Sequence, residues 1–171
     1  MILETKRLII APLTVDDAPL VYPFFSDAEV MSGLDQEPIE DPDEVASRVA
    51  AQVEEMAAGD AAYWAIRRAD DGAFIGFCEF FDIDRRRDSA EIRFAIARAG
   101  WGQGFGLEAL SALLAQVAAE DLKTITARVH VGDAAAERLL AKLGFRADGY
   151  MKGAVHRDGE RRDRRVYVLK L

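Results

Sequence analysis

In the stretch "AIARAGWGQGFGLEAL", Ala95 to Leu110, Gly102, Gly104 and Gly106 alternate with Trp101, Gln103 and Phe105. An apolar run precedes these residues and a Leu/Ala-rich segment follows, the setting of a strand handing over to a helix. A helix N-terminus presents unpaired N–H groups and partial positive charge, so it seats anions. Glycine ahead of it reaches dihedrals closed to other residues and lets a phosphate approach without meeting a Cβ. The pattern reads as an anion cradle, with a plain tight turn as the alternative. A Walker-type loop needs Lys and then Ser or Thr after its last glycine, whereas Leu107 and Glu108 follow here. A dinucleotide fingerprint needs G-x-G-x-x-G, whereas the spacing here is G-x-G-x-G. The residues themselves point to a phosphate-bearing ligand and go no further.

Two carboxylates stand in apolar surroundings. Glu79 interrupts "FIGFCEFF", where desolvation should raise its pKa and suit it to accepting a proton, unless it faces solvent. Glu91 lies in "SAEIRFAIA", where it either handles protons or pairs with Arg93 or Arg128. His130 shares a strand side with Thr126 and Arg128, a place for a hydrogen-bonded structural histidine or a proton relay. Cys78, flanked by aromatic residues in mid-strand, reads as an inert core thiol rather than a nucleophile. Trp64, Phe24, Phe25 and Met31 are either core or the lining of a binding pocket.

The elements that must position these groups are well punctuated. "RLIIAPL" predicts a first strand, and Thr14 with Asp17 has the spacing of a capping box at the next helix, which Pro23 kinks or ends. "MSGLDQEPIE" reads as a loop. Asp41, Pro42 and Gly59 then bracket a helix with Val45, Val49, Val53 and Met56 on its inner stripe. Strands follow in "AYWAIRR", "AFIGFCEFFDI" and "SAEIRFAIA", the first two joined by a turn at "DDG". In the third, Ala90, Ile92, Phe94 and Ile96 face one way and Glu91, Arg93, Ala95 and Ala97 the other. After the glycines comes a helix with Leu107, Leu110, Leu114 and Val117 at helical spacing, then the strand "TITARVHV". A short helix follows, capped by Asp133 and stopped by Gly144, and two last strands flank the turn "HRDGER".

The chain has 171 residues, half of them apolar, with one cysteine and a net charge of −8. That length fits one α/β domain over residues 1–171. No apolar run nears the ~20 residues of a membrane span, and "MILETKRLIIAPL" is too short and charged for a signal peptide. A single cysteine excludes an intrachain disulfide and disfavours a cysteine-based metal cluster, so a cytoplasmic address is expected. The acidic balance argues against non-specific nucleic-acid binding. The charge is uneven: residues 1–60 carry roughly −11 and the last ~27 about +4. Either these are solvated faces, or an acidic region attracts a cationic substrate while a basic one lies near an anionic cofactor.

"WGQGFGLEAL" resembles the pyrophosphate loop of the GCN5-related N-acetyltransferase (GNAT) family, whose pattern is Arg/Gln-x-x-Gly-x-Gly/Ala. Gly104 and Gly106 occupy the small-residue positions, and Trp101 replaces the usual Arg or Gln as in the ribosomal-protein N-terminal (Rim-type) branch. The likeness continues through "ETKRLIIAPLTVDDA", "WAIRRADDGAFIGF", "AEIRFAI", "LLAKLGF" and "DGERRDRRVYVL", in order. It implies a mixed, mostly antiparallel sheet of about seven strands with about four flanking helices. It also implies a splayed parallel pair formed by "EIRFAIA" and "ITARVHV".

The resemblance implies transfer of an acetyl group from acetyl-CoA to a primary amine by direct attack. Main-chain groups around Phe94, Ala95, Ile96 and Ala97 would then hold pantetheine, with one N–H able to polarise the thioester carbonyl. Gly102, Gln103, Gly104, Phe105, Gly106 and Leu107 would hold the pyrophosphate, with Trp101, Asp133 and Lys142 as further cofactor contacts. The attacking amine must be neutral, and Glu91, at a position usually acidic in the Rim-type branch, is the first candidate base, with Glu79 the second. The sequence departs from the family where Asp133 and Ala136 replace Asn and Ser, and where Leu140 replaces a Tyr that protonates the departing thiolate. A thiol of pKa about 8.5 leaves readily without that acid. The expected acceptor is a protein N-terminus or a cationic small molecule, its choice set in "MSGLDQEPIED", in a monomer or homodimer. Two rival readings are a non-catalytic acyl-CoA-binding or sensor domain and an acidic interaction module.

Overall fold

The structure, a computed structural model, describes residues 1–157 and 159–171, without the side chain of Arg157. Among the described residues, eight strands form one mixed sheet in the order β1-β2-β3-β4-β5-β6-β8-β7. They are β1 (Leu3–Glu4), β2 (Leu8–Pro12), β3 (Ala62–Arg68), β4 (Phe74–Asp84), β5 (Ser89–Ile96), β6 (Thr124–His130), β7 (Arg146–Arg157) and β8 (Glu160–Lys170). Five α-helices accompany them: α1 (Ala18–Phe25), α2 (Ala28–Gly33), α3 (Pro42–Ala58), α4 (Phe105–Ala119) and α5 (Ala134–Lys142). The turn expected in "HRDGER" contains Asp158, outside the described residues.

Alternation along the strands divides the apolar residues between two layers. Ile92, Cys78, Ile66 and Ile125 meet Leu110, Leu113 and Leu114 of α4 on one face. Phe77, Ala65 and Tyr63 meet Phe24 and Phe25 of α1 and Val45 and Val49 of α3 on the other. As expected from its period of two, β5 turns Ala90, Ile92, Phe94 and Ile96 to the α4 layer and Ala95, with Ala97 just beyond, to the α1–α3 layer.

The decisive feature is where pairing stops. All neighbouring strands run antiparallel except β5 and β6, whose parallel register spans Ser89↔Thr124 to Ile92↔Ala127. Beyond that point β5 continues to Ile96 and β6 to His130 without bonding each other, so the sheet opens into a wedge. β5 stays fastened to β4 through Gly76↔Ile96, and β6 to β8 through His130↔Arg164. The two strands diverge because each follows a different neighbour.

The sequence-based count was short by one strand and one helix. β1 has two residues, too few for any periodicity. α2 replaces the start of the expected loop: Asp27 caps it by accepting the N–H groups of Glu29 and Val30. On α3 the cap residues behave as expected, Asp41 accepting the Asp43 N–H and Gly59 taking φ 81°. Its buried polar member is Gln52, while Val53 and Met56 are only half-buried. Pro23 lies inside α1 rather than stopping it at once; the helix runs two residues further, to Phe25.

Candidate active site

The wedge opens a cavity of about 610 Å³ that reaches both faces of the sheet. On the α4 side its wall includes Gly104, Gly106, Leu107, Ala136, Leu139 and Lys142. On the other it includes Val30, Leu34, Asp35, Glu91, Arg128 and His130. Phe94, Ala95 and Ile96 form the edge between them.

The α4 side is built to receive an anion. Gly102 and Gly104 take φ 72° and 78°, conformations that favour glycine. Gly104 occupies the N-cap position with no side-chain cap, and the first main-chain bond into it comes from Glu108 at 3.1 Å. Among the described residues, the N–H groups of Phe105, Gly106 and Leu107 therefore remain without partners. Apart from its two chain neighbours, nothing among the described residues lies within 4 Å of where a Gly102 Cβ would stand. A Gly106 Cβ would come within 3.1 Å of Leu139, so bulk there would press α4 against α5. These groups fit a diphosphate.

A brace that gave no local sequence signal supports this loop. The Arg7 guanidinium donates to the Gln103 carbonyl at 2.9 Å and the Glu108 carboxylate at 2.7 Å, and lies 4.5 Å from the Phe105 ring centre. Thr5 Oγ1 and the Arg7 main-chain N–H also donate to Glu108, at 2.6 and 2.9 Å. Partial burial raises the Glu108 carboxyl, but these donors outweigh it and hold its pKa below the ordinary range.

Two of the expected cofactor contacts are displaced. Gln103 is off the cavity wall because its amide donates to Ala99 O at 2.6 Å and its carbonyl is held by Arg7. Ala97 is off it too, because its N–H goes to Ile75 O at 2.8 Å. Antiparallel alternation then spends the main-chain groups of Ala95 and Arg93 on β4 and leaves those of Phe94 and Ile96 facing the wedge. Of these, the Ile96 carbonyl accepts the Trp101 indole N–H at 2.5 Å. Trp101, Gly102, Gly104, Phe105, Gly106, Leu107, Asp133 and Lys142 all line the cavity. Asp133 spends one carboxylate oxygen on the Ala136 N–H at 3.0 Å, capping α5.

On the opposite face the ionisable groups are paired. Glu91, 7 % exposed, meets Arg128 Nη1 at 3.0 Å. Burial pushes its carboxyl above the ordinary range, and Arg128 offsets only part of that. Glu79 is absent from the cavity wall, which corrects its expected place in the cleft. It is neither free nor solvent-facing, but 4 % exposed and joined to Arg93 Nη1 at 2.5 Å. Burial raises its pKa also, against the pull of Arg93 and Arg48. Asp35, at φ 58° after α2, accepts from Arg164 Nε at 2.8 Å and lies 2.5 Å from His130 Nε2. At the other end of α2, Arg98 donates to Asp27 at 2.8 Å and Glu29 at 2.9 Å. Helix α2 is thus fastened at both ends over the wedge.

The remaining candidates are core. Cys78 is fully buried and burial pushes its thiol up, away from nucleophilic use. Leu140 is also fully buried, packed in the α4 layer, while its neighbour Leu139 reaches the cavity. Trp64, Phe24, Phe25 and Met31 are buried in the two layers and do not line the cavity. Among the described residues, no helix is long and apolar enough to cross a membrane.

An open wedge beside a helix N-terminus fits transfer from a long phosphate-bearing thioester, and residues 7–146 match the acetyltransferase (GNAT) domain. The chain belongs to that family of N-acetyltransferases, whose cosubstrate is acetyl-CoA. It is 30 % identical over 169 residues to the uncharacterized N-acetyltransferase YoaA of Bacillus subtilis (strain 168), covering 98 % of this chain and 96 % of that one. Its fold resembles RimL, a ribosomal L7/L12 alpha-N-protein acetyltransferase solved with coenzyme A (TM-score 0.90, 19 % identity, 100 % and 98 % coverage). It also resembles spermidine N-acetyltransferase from Vibrio cholerae solved with CoA and spermine (TM-score 0.87, 21 % identity, 97 % and 96 % coverage).

Proposed function

We propose that this chain is a Rim-type N-acetyltransferase of the cytoplasm that acetylates a primary amine, either a protein N-terminus or a small cationic amine. The observation that carries the reading is the cavity through the sheet, with unpaired α4 N–H groups on one face and paired ionisable groups on the other. When bound, acetyl-CoA supplies an acyl group activated as a thioester. The N–H groups of Phe105, Gly106 and Leu107 would hold its diphosphate, with Lys142 and Trp101 along the same wall. The main-chain groups of Phe94 face the wedge and can bind pantetheine or polarise a carbonyl. Glu91 is the carboxylate on the cavity wall whose raised pKa suits proton uptake from the attacking amine. Likeness to both an N-terminal and a spermidine acetyltransferase supports an amine acceptor without choosing between them.

The test is release of free thiol from acetyl-CoA in the presence of serine-initiated peptides, spermidine or aminoglycosides, alongside calorimetry with CoA. Turnover with one amine class establishes the acceptor. Binding without turnover across the panel reassigns the chain as an acyl-CoA sensor, and no binding overturns the reading.

A further inference from the structure

On the wall opposite the diphosphate seat, positive charge is the accessible charge. The apolar layer of α1 and α3 ends at β5: among the described residues it takes in none from β6, β7 or β8. Past that point the same sheet face is polar, and Arg128 of β6 and Arg164 of β8 line the cavity with Arg93 of β5. Arg128 is paired with Glu91, Arg93 with Glu79 and Arg164 with Asp35. In each pair the carboxylate is the buried member. The side chains of Arg128, Arg93 and Arg164 are 37, 34 and 20 % exposed, against 9, 5 and 6 % for their partners. Glu29, the remaining acid on that side, is exposed but meets Arg98 at 2.9 Å. A molecule entering here therefore meets guanidinium groups whose counter-charges lie behind them. Arg128 approaches Glu91 with Nη1, at 3.0 Å, and among the described residues no hydrogen bond occupies its other N–H groups. That free fork matches a carboxylate.

Strand register puts these arginines beside the place of reaction. Phe94, whose main-chain groups face the wedge, lies two residues past Ile92, the last residue of β5 paired with β6. Counted from Ala127, the partner of Ile92, Arg128 stands one residue short of the level of Phe94. His130 stands one residue beyond it, and Arg164 is the partner of His130 on β8. One residue is about 3.3 Å along a strand, so the strand positions of Arg128 and Arg164 bracket Phe94 closely.

We propose that the acceptor is an acidic amine, a primary amine with a carboxylate a short spacer away, and that Arg128 binds that carboxylate with support from Arg164. This names the substrate class of the acetyltransferase site and rests on acetyl transfer taking place there. A free amino acid and the N-terminus of an acidic peptide share the chemistry. A polyamine does not: among the described residues, every acid on this side of the wall already faces an arginine. A bound carboxylate also adds negative charge near Glu91, which strengthens its hold on a proton in the complex where the amine releases one.

The test measures thiol release from acetyl-CoA by the full chain with matched acceptors. C-terminally amidated Ser-Asp-Gly is set against amidated Ser-Asn-Gly, serine against serinamide, and spermidine against all four. The carboxylate member of one pair should be favoured by about 10-fold or more in kcat/KM, with spermidine below it. Which pair shows the preference tells a peptide terminus from a free amino acid. Arg128→Gln should largely abolish the preference, chiefly through KM, with CoA affinity from calorimetry unchanged. Arg128→Lys keeps the charge without the fork and should retain part of it. A purely structural role for Arg128 would slow both members of a pair alike and leave their ratio intact, and that result in a folded Arg128→Gln overturns the proposal. Should that variant not fold, the wild-type rates decide alone. Equal turnover within both pairs, or faster turnover of spermidine, overturns the proposal and leaves the acetyltransferase reading standing. No thiol release with any amine overturns both.

Discussion

Replacing Gly104 by Asp separates the fold from the diphosphate seat. At φ 78° an L-residue costs about 1–2 kcal/mol, less for Asp, which tolerates this region. The same position is the N-cap of α4, where an Asp side chain returns about 1 kcal/mol, so the fold should lose little. Space is available, since the nearest atom to a new Cβ is Arg7 Nη2 at 3.6 Å. The ligand meets a different situation. Two unit charges about 5 Å apart at an effective dielectric near 20 repel by about 3 kcal/mol. A diphosphate doubles that, and the Arg7 guanidinium together with salt cancels roughly half, leaving a net ~3 kcal/mol. Affinity for CoA should therefore fall by about 100-fold or more. Gly104→Asn has nearly the same shape and backbone tolerance without the charge, and should fall by far less. Calorimetry with CoA for both variants, with thermal unfolding to confirm the fold, measures the difference. An Asp variant that binds within about threefold of wild type would refute the diphosphate seat, as would equal losses in Asp and Asn.

Glu79 and Leu140 give two further expectations. Burial raises the folded-state pKa of Glu79 above its unfolded value, so this group's contribution to stability is fully present below about pH 4.3 and is lost as pH climbs through the raised value. The stability of wild type relative to Glu79→Gln should accordingly shrink from pH 4 toward neutrality in denaturant titrations; a constant difference would contradict the sign. Leu140→Tyr restores the hydroxyl typical of the family but places it in a fully buried site, so it should destabilise by about 1–3 kcal/mol with no gain in kcat. A folded, faster variant would show that this position reaches the reacting sulfur.

The positions legible in the sequence were those governed by local geometry. Period-two alternation assigned both faces of β5 correctly because each face packs against a separate apolar layer. The glycine run announced the turn into α4 because only a few backbone conformations lead a strand into a helix there. Asp41, Gly59 and Asp133 were readable as caps for the same reason. The pairs that complete the site join distant parts of the chain and leave no local trace. Arg7 meets Glu108 across 101 residues, and Asp35 meets Arg164 across 129. Helix α2 escaped notice because six residues hold too little of a helical period, and its anchors Asp27 and Arg98 lie 71 positions apart. Glu79 looked like a cleft residue because alternation gives its face but not what covers it; Arg93 and the layer beneath α3 do so.

Because the opening between β5 and β6 passes through the sheet, a nucleotide and an amine bound as proposed would have separate doorways. Neither reactant needs to vacate the entrance the other uses, so nothing in the architecture compels one to bind first or one product to depart before the other. A single molecule carrying both reactants on a short tether would have to thread the sheet from one doorway to the other. Its grip would draw on both walls at once, and its tether length would report the thickness of the passage.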